Sequence, residues 1–305
     1  MKKIKLGTSN IPVSNIALGC MRMGELSSSK AAVVMNQALE LGIDFFDHAD
    51  IYAGGKSEEI FAEAIGMNPS IREKMVLQTK TGIRKGYFDF SKEHIIGSVD
   101  KSLQRLKTDY IDVLLLHRPD TLVEPEEVAE AFATLKESGK VHHFGVSNHN
   151  PMQIELLKKY VEQDLIVNQL QFSIMHTGMI DTGLLVNMKH ENGVDRDGSV
   201  LDYSRLHNIT IQAWSPFQYG FFEGVFVDND KFPELNNKLA EIGDKYNISK
   251  SAVAIAWILR HPAKIQPVVG TMNPERLSEI AKAAEVELTR EEWYGIYLAA
   301  GNMLP

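Results

Sequence analysis

Cysteine is almost missing from this chain of 305 residues. Cys20 stands alone, so neither an intrachain disulfide nor a cysteine-rich metal knot can form. A reducing cytoplasm is the expected location. Long apolar runs are missing too, and none approaches the roughly 20 residues that a membrane-spanning helix needs. The basic start, Met-Lys-Lys-Ile-Lys, is not followed by the apolar stretch and small-residue cleavage site of a secretion signal. There is no long basic tract, and the net charge is −8, which argues against a nucleic-acid partner. Nowhere does Gly-x-Gly-x-x-Gly follow a strand-like run, so the ordinary dinucleotide fold has no fingerprint. Gly54-Gly55-Lys56-Ser57 resembles the end of a phosphate loop. Its first glycine would fall at Asp50, however, so the stretch reads as a turn into a helix. Apolar residues are plentiful at 44%, enough for a core and against disorder.

Strand-like and helix-like runs alternate along the whole chain. Ile4–Val13 reads as a small hairpin ahead of the main fold. Eight apolar strand candidates follow: Asn15–Gly19, Ile43–Phe46, Met75–Thr79, Tyr110–Leu116, Val141–Val146, Leu165–Leu170, Ile209–Ala213 and Ile265–Val269. Between them lie runs with helical spacing, including Ser29–Leu41 closed by Gly42, and Pro125–Glu137 closed by Gly139. Ser249 is placed to cap Lys250–Arg260, and Thr289 with Glu292 forms a capping box for the last helix. In the least regular segment, 173–200, Leu184–His190 is the expected helix. Strand–helix alternation means parallel strands with helices outside. Eight such units predict an α/β fold, a closed (β/α)₈ TIM barrel with an N-terminal hairpin and extra helices near the C-terminus. No composition break marks a linker, so 1–305 reads as one domain.

A barrel carries its chemistry at the C-terminal ends of its strands. Asp47, His48, Asp50 and Tyr52 follow the second strand, Lys80 ends the third, and His117 ends the fourth. A free phenol titrates near pH 10, too high for efficient proton transfer near neutrality. Lys80 would lower that value, and Asp47 would keep the ammonium charged and positioned. His117 would orient a substrate oxygen. The set suits protonation of an oxygen that becomes an alcohol. Each residue alone has a plainer reading: a packed Tyr, a turn-capping Asp, a solvated Lys, a His that satisfies carbonyls. A different reading, a metal-dependent barrel hydrolase, would use His48, Asp50 and His117 as ligands. Such sites draw His from the first strand, and Gly19-Cys-Met-Arg-Met-Gly24 offers none.

The motifs Phe46-Asp47-His48-Ala49-Asp50-Ile51-Tyr52, Thr79-Lys80, Leu115-Leu116-His117-Arg118-Pro119-Asp120, Gly145-Val-Ser-Asn148, Asn168-Gln169, Ala213-Trp-Ser-Pro216 and Pro267-Val-Val-Gly-Thr271 with Asn273-Pro-Glu-Arg276 run in order along the chain. In them the sequence resembles the aldo-keto reductase superfamily over essentially its whole length, and most of all its short-tailed bacterial branch. The resemblance implies a barrel that binds NADP(H) and reduces aldehydes or ketones to alcohols by hydride transfer. It gives Tyr52 as general acid, with Asp47, Lys80 and His117 as the other catalytic residues. Ser147, Asn148 and Gln169 would hold the nicotinamide carboxamide, and Trp214 would stack on its ring. Ser215, Pro216 and Phe217 match the pyrophosphate loop. Gly270, Thr271, Met272 and Arg276 match the 2′-phosphate and adenine end, with Glu279 near the adenine. Met21 and Arg22 would touch the cofactor through backbone. Gly270 stands where many members carry a Lys, so NAD(H) stays open beside NADP(H).

Further positions are read from the sequence itself. Gln78, two residues before Lys80, points into the barrel and needs a hydrogen-bond partner there. Phe217–Phe226 reads as a mobile aromatic loop over the site, and Tyr87 and Phe88 as further pocket lining. His142 and His143, at the opposite end of the barrel, read as structural. The expected partner is a small carbonyl compound, with no nucleic acid and no membrane, on a monomer or weak homo-oligomer. The resemblance also admits a redox-sensing regulatory subunit of the same fold.

Overall fold

The computed structural model describes all 305 residues. The eight predicted runs pair in parallel and close on themselves. In chain order the strands are β1 (Lys3–Lys5), β2 (Pro12–Ser14), β3 (Ala17–Gly19), β4 (Phe45–Asp47), β5 (Val76–Thr81), β6 (Ile83–Arg84), β7 (Tyr87–Phe88), β8 (Ile111–Leu116), β9 (Val141–Ser147), β10 (Leu165–Gln171), β11 (Thr210–Trp214) and β12 (Gln266–Val269). The barrel runs β3-β4-β5-β8-β9-β10-β11-β12 and returns to β3, where Val268 pairs with Ala17. Hairpin β1–β2 lies outside this ring. It inserts Leu6 and Val13 among Phe45, Val113, Leu115 and Ile166, filling one end of the barrel with apolar side chains. The close approach needs Gly7, whose φ is +53° and where a Cβ would lie 2.3 Å from the Ile166 carbonyl oxygen.

Helices cover the outer face: α1 (Ser28–Glu40), α2 (Lys56–Ala64), α3 (Pro69–Arg72), α4 (Lys92–Leu106), α5 (Pro125–Glu137), α6 (Pro151–Lys158), α7 (Gly178–Leu184), α8 (Val200–Leu206), α9 (Pro233–Tyr246), α10 (Lys250–Leu259), α11 (Pro274–Ala281) and α12 (Arg290–Ala299). The predicted punctuation holds. Gly42 and Gly139 take positive φ just past α1 and α5, the Ser249 hydroxyl accepts from Ala252 N, and Thr289 with Glu292 makes the capping box. The seven central residues of α10 are all buried, wedged between α9, α11 and the barrel. Truncating a large one such as Trp257 costs about 3–5 kcal/mol by analogy with buried aromatics elsewhere.

Two expectations are corrected. The second barrel strand starts at Phe45, since Ile43 N is tied to the Ala38 carbonyl of α1 and the Asp44 carboxylate accepts from Ser14 N. Leu184–His190 is no helix. Asn187 turns left-handed at φ +60°, and Val186 and Met188 are exposed, so the apolar spacing there has no core to face. The helices of this segment are α7 and α8. Asp181 of α7 accepts hydrogen bonds from Thr177 and from Tyr297 of α12, which holds α7 against the C-terminal helix.

Candidate active site

Asp47 is the last residue of β4, and Lys80 lies near the end of the neighbouring β5. Between them in sequence the chain makes a tight turn, Tyr52–Gly55, in which Ala53, Gly54 and Gly55 all have positive φ. Such a run returns Tyr52 to the strand ends while launching α2. A Cβ on Gly55 would meet the Arg105 side chain at 2.8 Å.

Lys80 is fully buried, and its Nζ lies 2.8 Å from each Asp47 carboxylate oxygen, 2.7 Å from the His48 carbonyl and 3.1 Å from the Tyr52 hydroxyl. Three ammonium protons therefore serve the carboxylate, the carbonyl and the phenol oxygen. Because that oxygen accepts from Lys80, the phenol's own proton is left to face the cavity. Burial alone would lower the Lys80 pKa, but Asp47 and Tyr52 outweigh it and the ammonium is held charged. The Tyr52 pKa is raised, because burial outweighs the pull of Lys80. This corrects the sequence expectation of a lowered value. The lysine restrains the rise but does not reverse it.

His117 follows β8, with its ring edge-on to Tyr52 at 6.1 Å between centroids. Burial, Lys80 and Arg118 push its pKa well below the usual imidazole value, so it is neutral. Its Nδ1 has no partner. The ligands of the hydrolase reading do not converge. His48 is buried edge-on against Phe61 and held near pKa 3 by burial. Asp50 instead accepts from Ser98 at 2.7 Å, and burial pushes its pKa up to about 6. No three metal-ligating side chains cluster anywhere in the chain.

Below the site, side-chain amides run along the barrel interior. Gln78 Nε2 donates to Asp47 at 2.6 Å and to Gln212 Oε1 at 2.7 Å. Gln169 Nε2 makes the same pair of bonds at 3.1 and 3.0 Å. Gln212 Nε2 then donates to Gln266 at 2.9 Å, and Gln266 Nε2 donates to the Ser14 carbonyl at 2.6 Å. A carboxylate at one end and a backbone carbonyl at the other can only accept. Every amide orientation in the chain is therefore fixed from both ends. Gln78 is inward and partnered, as its register required. Gln212 and Gln266 were invisible to sequence reasoning, because their partners lie on distant strands.

Above these groups opens a cavity of about 760 Å³, bordered by Asp47, Tyr52 and His117. Ser147, Asn148, Gln169 and Trp214 line it, with Ser215, Pro216 and Phe217 further along. Met21, Arg22, Gly270, Thr271 and Arg276 complete the predicted residues that reach it. Trp214 Nε1 donates to Asn148 Oδ1 at 3.0 Å, Asn148 Nδ2 donates to Ser147 Oγ at 2.7 Å, and Ser147 Oγ donates to the Gln169 carbonyl at 3.0 Å. Met272 and Glu279 lie outside the lining. Met272 packs on the main core, and Glu279 pairs with Lys282 at 2.7 Å.

Phe222 of the aromatic loop stacks on Trp214 at 6.4 Å and lines the cavity together with Phe217. Tyr87 and Phe88 do not reach it. They sit exposed on β7, and the lining residue from that hairpin is Ile83. His142 is half-exposed at the far end and stacks on Tyr110 at 4.7 Å. Ile51 and Arg118 also line the cavity, though sequence reasoning noted them only as parts of motifs.

The chain is similar to known proteins over nearly its whole length. The model of the Aldo/keto reductase family matches residues 15–297. An uncharacterized oxidoreductase of Bacillus subtilis is 36% identical over 98% of both chains. A 6-dehydroglucose reductase of Agrobacterium fabrum is 34% identical, again over 98% of both. A crystal structure of a thermostable aldo-keto reductase in complex with the inhibitor epalrestat superposes with a TM-score of 0.78 over 98% of this chain and 100% of that one, at 23% identity, which speaks to the fold. With a closed eight-stranded barrel, an Asp–Lys–Tyr line at its strand ends and full-length relatives of this kind, the chain belongs to the Aldo/keto reductase family of oxidoreductases.

Proposed function

We propose that this protein is an NADP(H)-dependent reductase of aldehydes or ketones in which Tyr52 delivers the proton. The observation that carries the reading is the line Asp47–Lys80–Tyr52, with contacts of 2.8 and 3.1 Å, ending at the cavity. A phenol whose pKa is raised stays protonated at neutral pH, as an acid must. The phenolate left after transfer would gain the Lys80 ammonium at hydrogen-bond distance, so the charge that develops is met by a preorganised donor. Neutral His117 would donate a hydrogen bond to the carbonyl oxygen and fix its approach to Tyr52.

The residues present fit a nicotinamide dinucleotide. Trp214 offers an indole at the cavity wall, and Ser147, Asn148 and Gln169 are suited to a carboxamide. The Arg276 guanidinium lies at the cavity edge without a side-chain partner, next to Thr271, and suits a 2′-phosphate. When bound, such a cofactor supplies the hydride. Met21, Arg22, and Ser215 to Phe217 would hold the remainder of it.

NADPH consumption measured across a panel of carbonyl compounds tests the reading, with sugar-derived aldehydes included because of the relative named above. Wild-type protein should turn over at least one class, and Tyr52→Phe should lose turnover while still binding NADPH. Wild-type turnover by Tyr52→Phe would mean that another group is the acid.

A further inference from the structure

Arg118 follows His117 directly, yet no role has been given to its side chain. It lines the cavity half-buried, with Cζ 5.4 Å from the Trp214 ring and 6.0 Å from the Phe221 ring. It therefore reaches from the β8 end across the mouth of the barrel to the β11 loop. No carboxylate neutralises it. Asp120, the acid nearest in sequence, is turned away and accepts from the backbone N–H groups of Phe90 and Leu122. The cavity's own acids are both engaged, Asp47 by Lys80 and Asp228 by Lys250. Burial without a counter-ion lowers the Arg118 pKa, and Tyr52 is near enough to act on it electrostatically. An unpaired, partly desolvated guanidinium costs free energy unless a ligand supplies the missing anion.

Ile51, Ile83 and Phe222 line the same cavity and give it part of an apolar wall. One fork-shaped cation above apolar walls matches a compact carbonyl compound that ends in an anionic group. We propose that Arg118 is an anion subsite for the substrate, selecting aldehydes or ketones that carry a carboxylate or phosphate over neutral analogues. This rests on the carbonyl-reductase reading above. It adds a substrate class to that reading.

Matched pairs test it: 4-carboxybenzaldehyde against 4-methylbenzaldehyde, and glyceraldehyde 3-phosphate against glyceraldehyde. The wild-type enzyme should favour the charged member of at least one pair by about 10-fold or more in kcat/KM, chiefly through KM. The pair that shows the preference tells carboxylate from phosphate. In Arg118→Met the charged-to-neutral ratio should fall close to one, and Arg118→Lys should keep part of it. Equal or better turnover of both neutral members, or a ratio that survives Arg118→Met, overturns the subsite. If the neutral members are turned over as well as the charged ones and Tyr52→Phe abolishes that turnover, the reductase reading stands without the subsite. If no carbonyl is turned over, that reading fails, and the subsite is judged by binding alone. Benzoate should then quench tryptophan fluorescence in wild type and not in Arg118→Met, since Trp214 is the tryptophan beside Arg118 and the other two are buried. Identical titrations of the two proteins overturn it.

Discussion

Lys80 donates to three acceptors at once, and only one of them, the Tyr52 oxygen at 3.1 Å, is involved in the proposed chemistry. Lys80→Met removes the donor proposed to stabilise the phenolate, so turnover should fall by a factor on the order of 10²–10⁴. It also strands Asp47 as a buried, unpaired carboxylate, and losing one member of a buried pair costs about 3–5 kcal/mol. The two effects separate in the double variant Asp47→Asn/Lys80→Met. Stability should largely return while turnover does not. If thermal melts and NADPH oxidation recovered together, the lysine would be only structural.

Asp50 supplies a second test at this scale. Its folded pKa is about 6 against an ordinary 3.8, because burial disfavours the carboxylate. With the folded value the higher one, the stability contribution is complete below pH 3.8. It is lost as pH rises to about 6. Asn at this position keeps an oxygen for the Ser98 hydroxyl and cannot ionise. Relative to wild type, Asp50→Asn should therefore gain stability progressively between about pH 4 and 6 and hold the gain above that, as read from urea midpoints at each pH. A flat difference across that window would rule out the burial effect.

Among the elements, the strands were legible because each shows an apolar run bounded by turn residues, and their order around the barrel follows from strand–helix alternation. Segment 173–200 was not legible. The helical spacing of Leu184–His190 is real, but whether a core lies opposite it is decided by distant packing. The candidate-site residues Asp47, Tyr52, Lys80 and His117 could be read from strand ends. The sign of the Tyr52 shift could not, since it is a balance of burial against one charge. The amide chain was half legible: register put Gln78 inside, but its partner Gln212 is 134 residues away in sequence. Gln212→Leu should strip an acceptor from Gln78 and Gln169 and a donor from Gln266. A loss of about 2–4 kcal/mol in urea unfolding is expected for that many unmet buried groups. Adding Gln266→Leu should cost less than the same change does in wild type, because Gln266 has already lost one of its two hydrogen bonds. Strict additivity of the two would show that the amides do not act as one connected chain.

Over the whole molecule, a net charge of −8 contrasts with a cavity where Arg22, Arg118 and Arg276 all lack a carboxylate partner. The cavity is thus a local sink for anions on an anionic protein. A ligand that binds only the folded barrel stabilises it by mass action, about 2.7 kcal/mol when present at 100 times its Kd. NADPH and NADH differ by the 2′-phosphate, the group proposed to lie at Thr271 and Arg276. Gly270 provides no cation beside them, so the discrimination falls on Arg276. In thermal melts at equal concentrations, NADPH should raise the midpoint more than NADH does in wild type. In Arg276→Ala the NADPH shift should shrink to the NADH value, with the NADH shift little changed. A charge-assisted contact of this kind corresponds to about 10- to 100-fold in affinity. Equal shifts for both cofactors in the wild-type protein would remove the phosphate preference and, with it, the role given to Arg276.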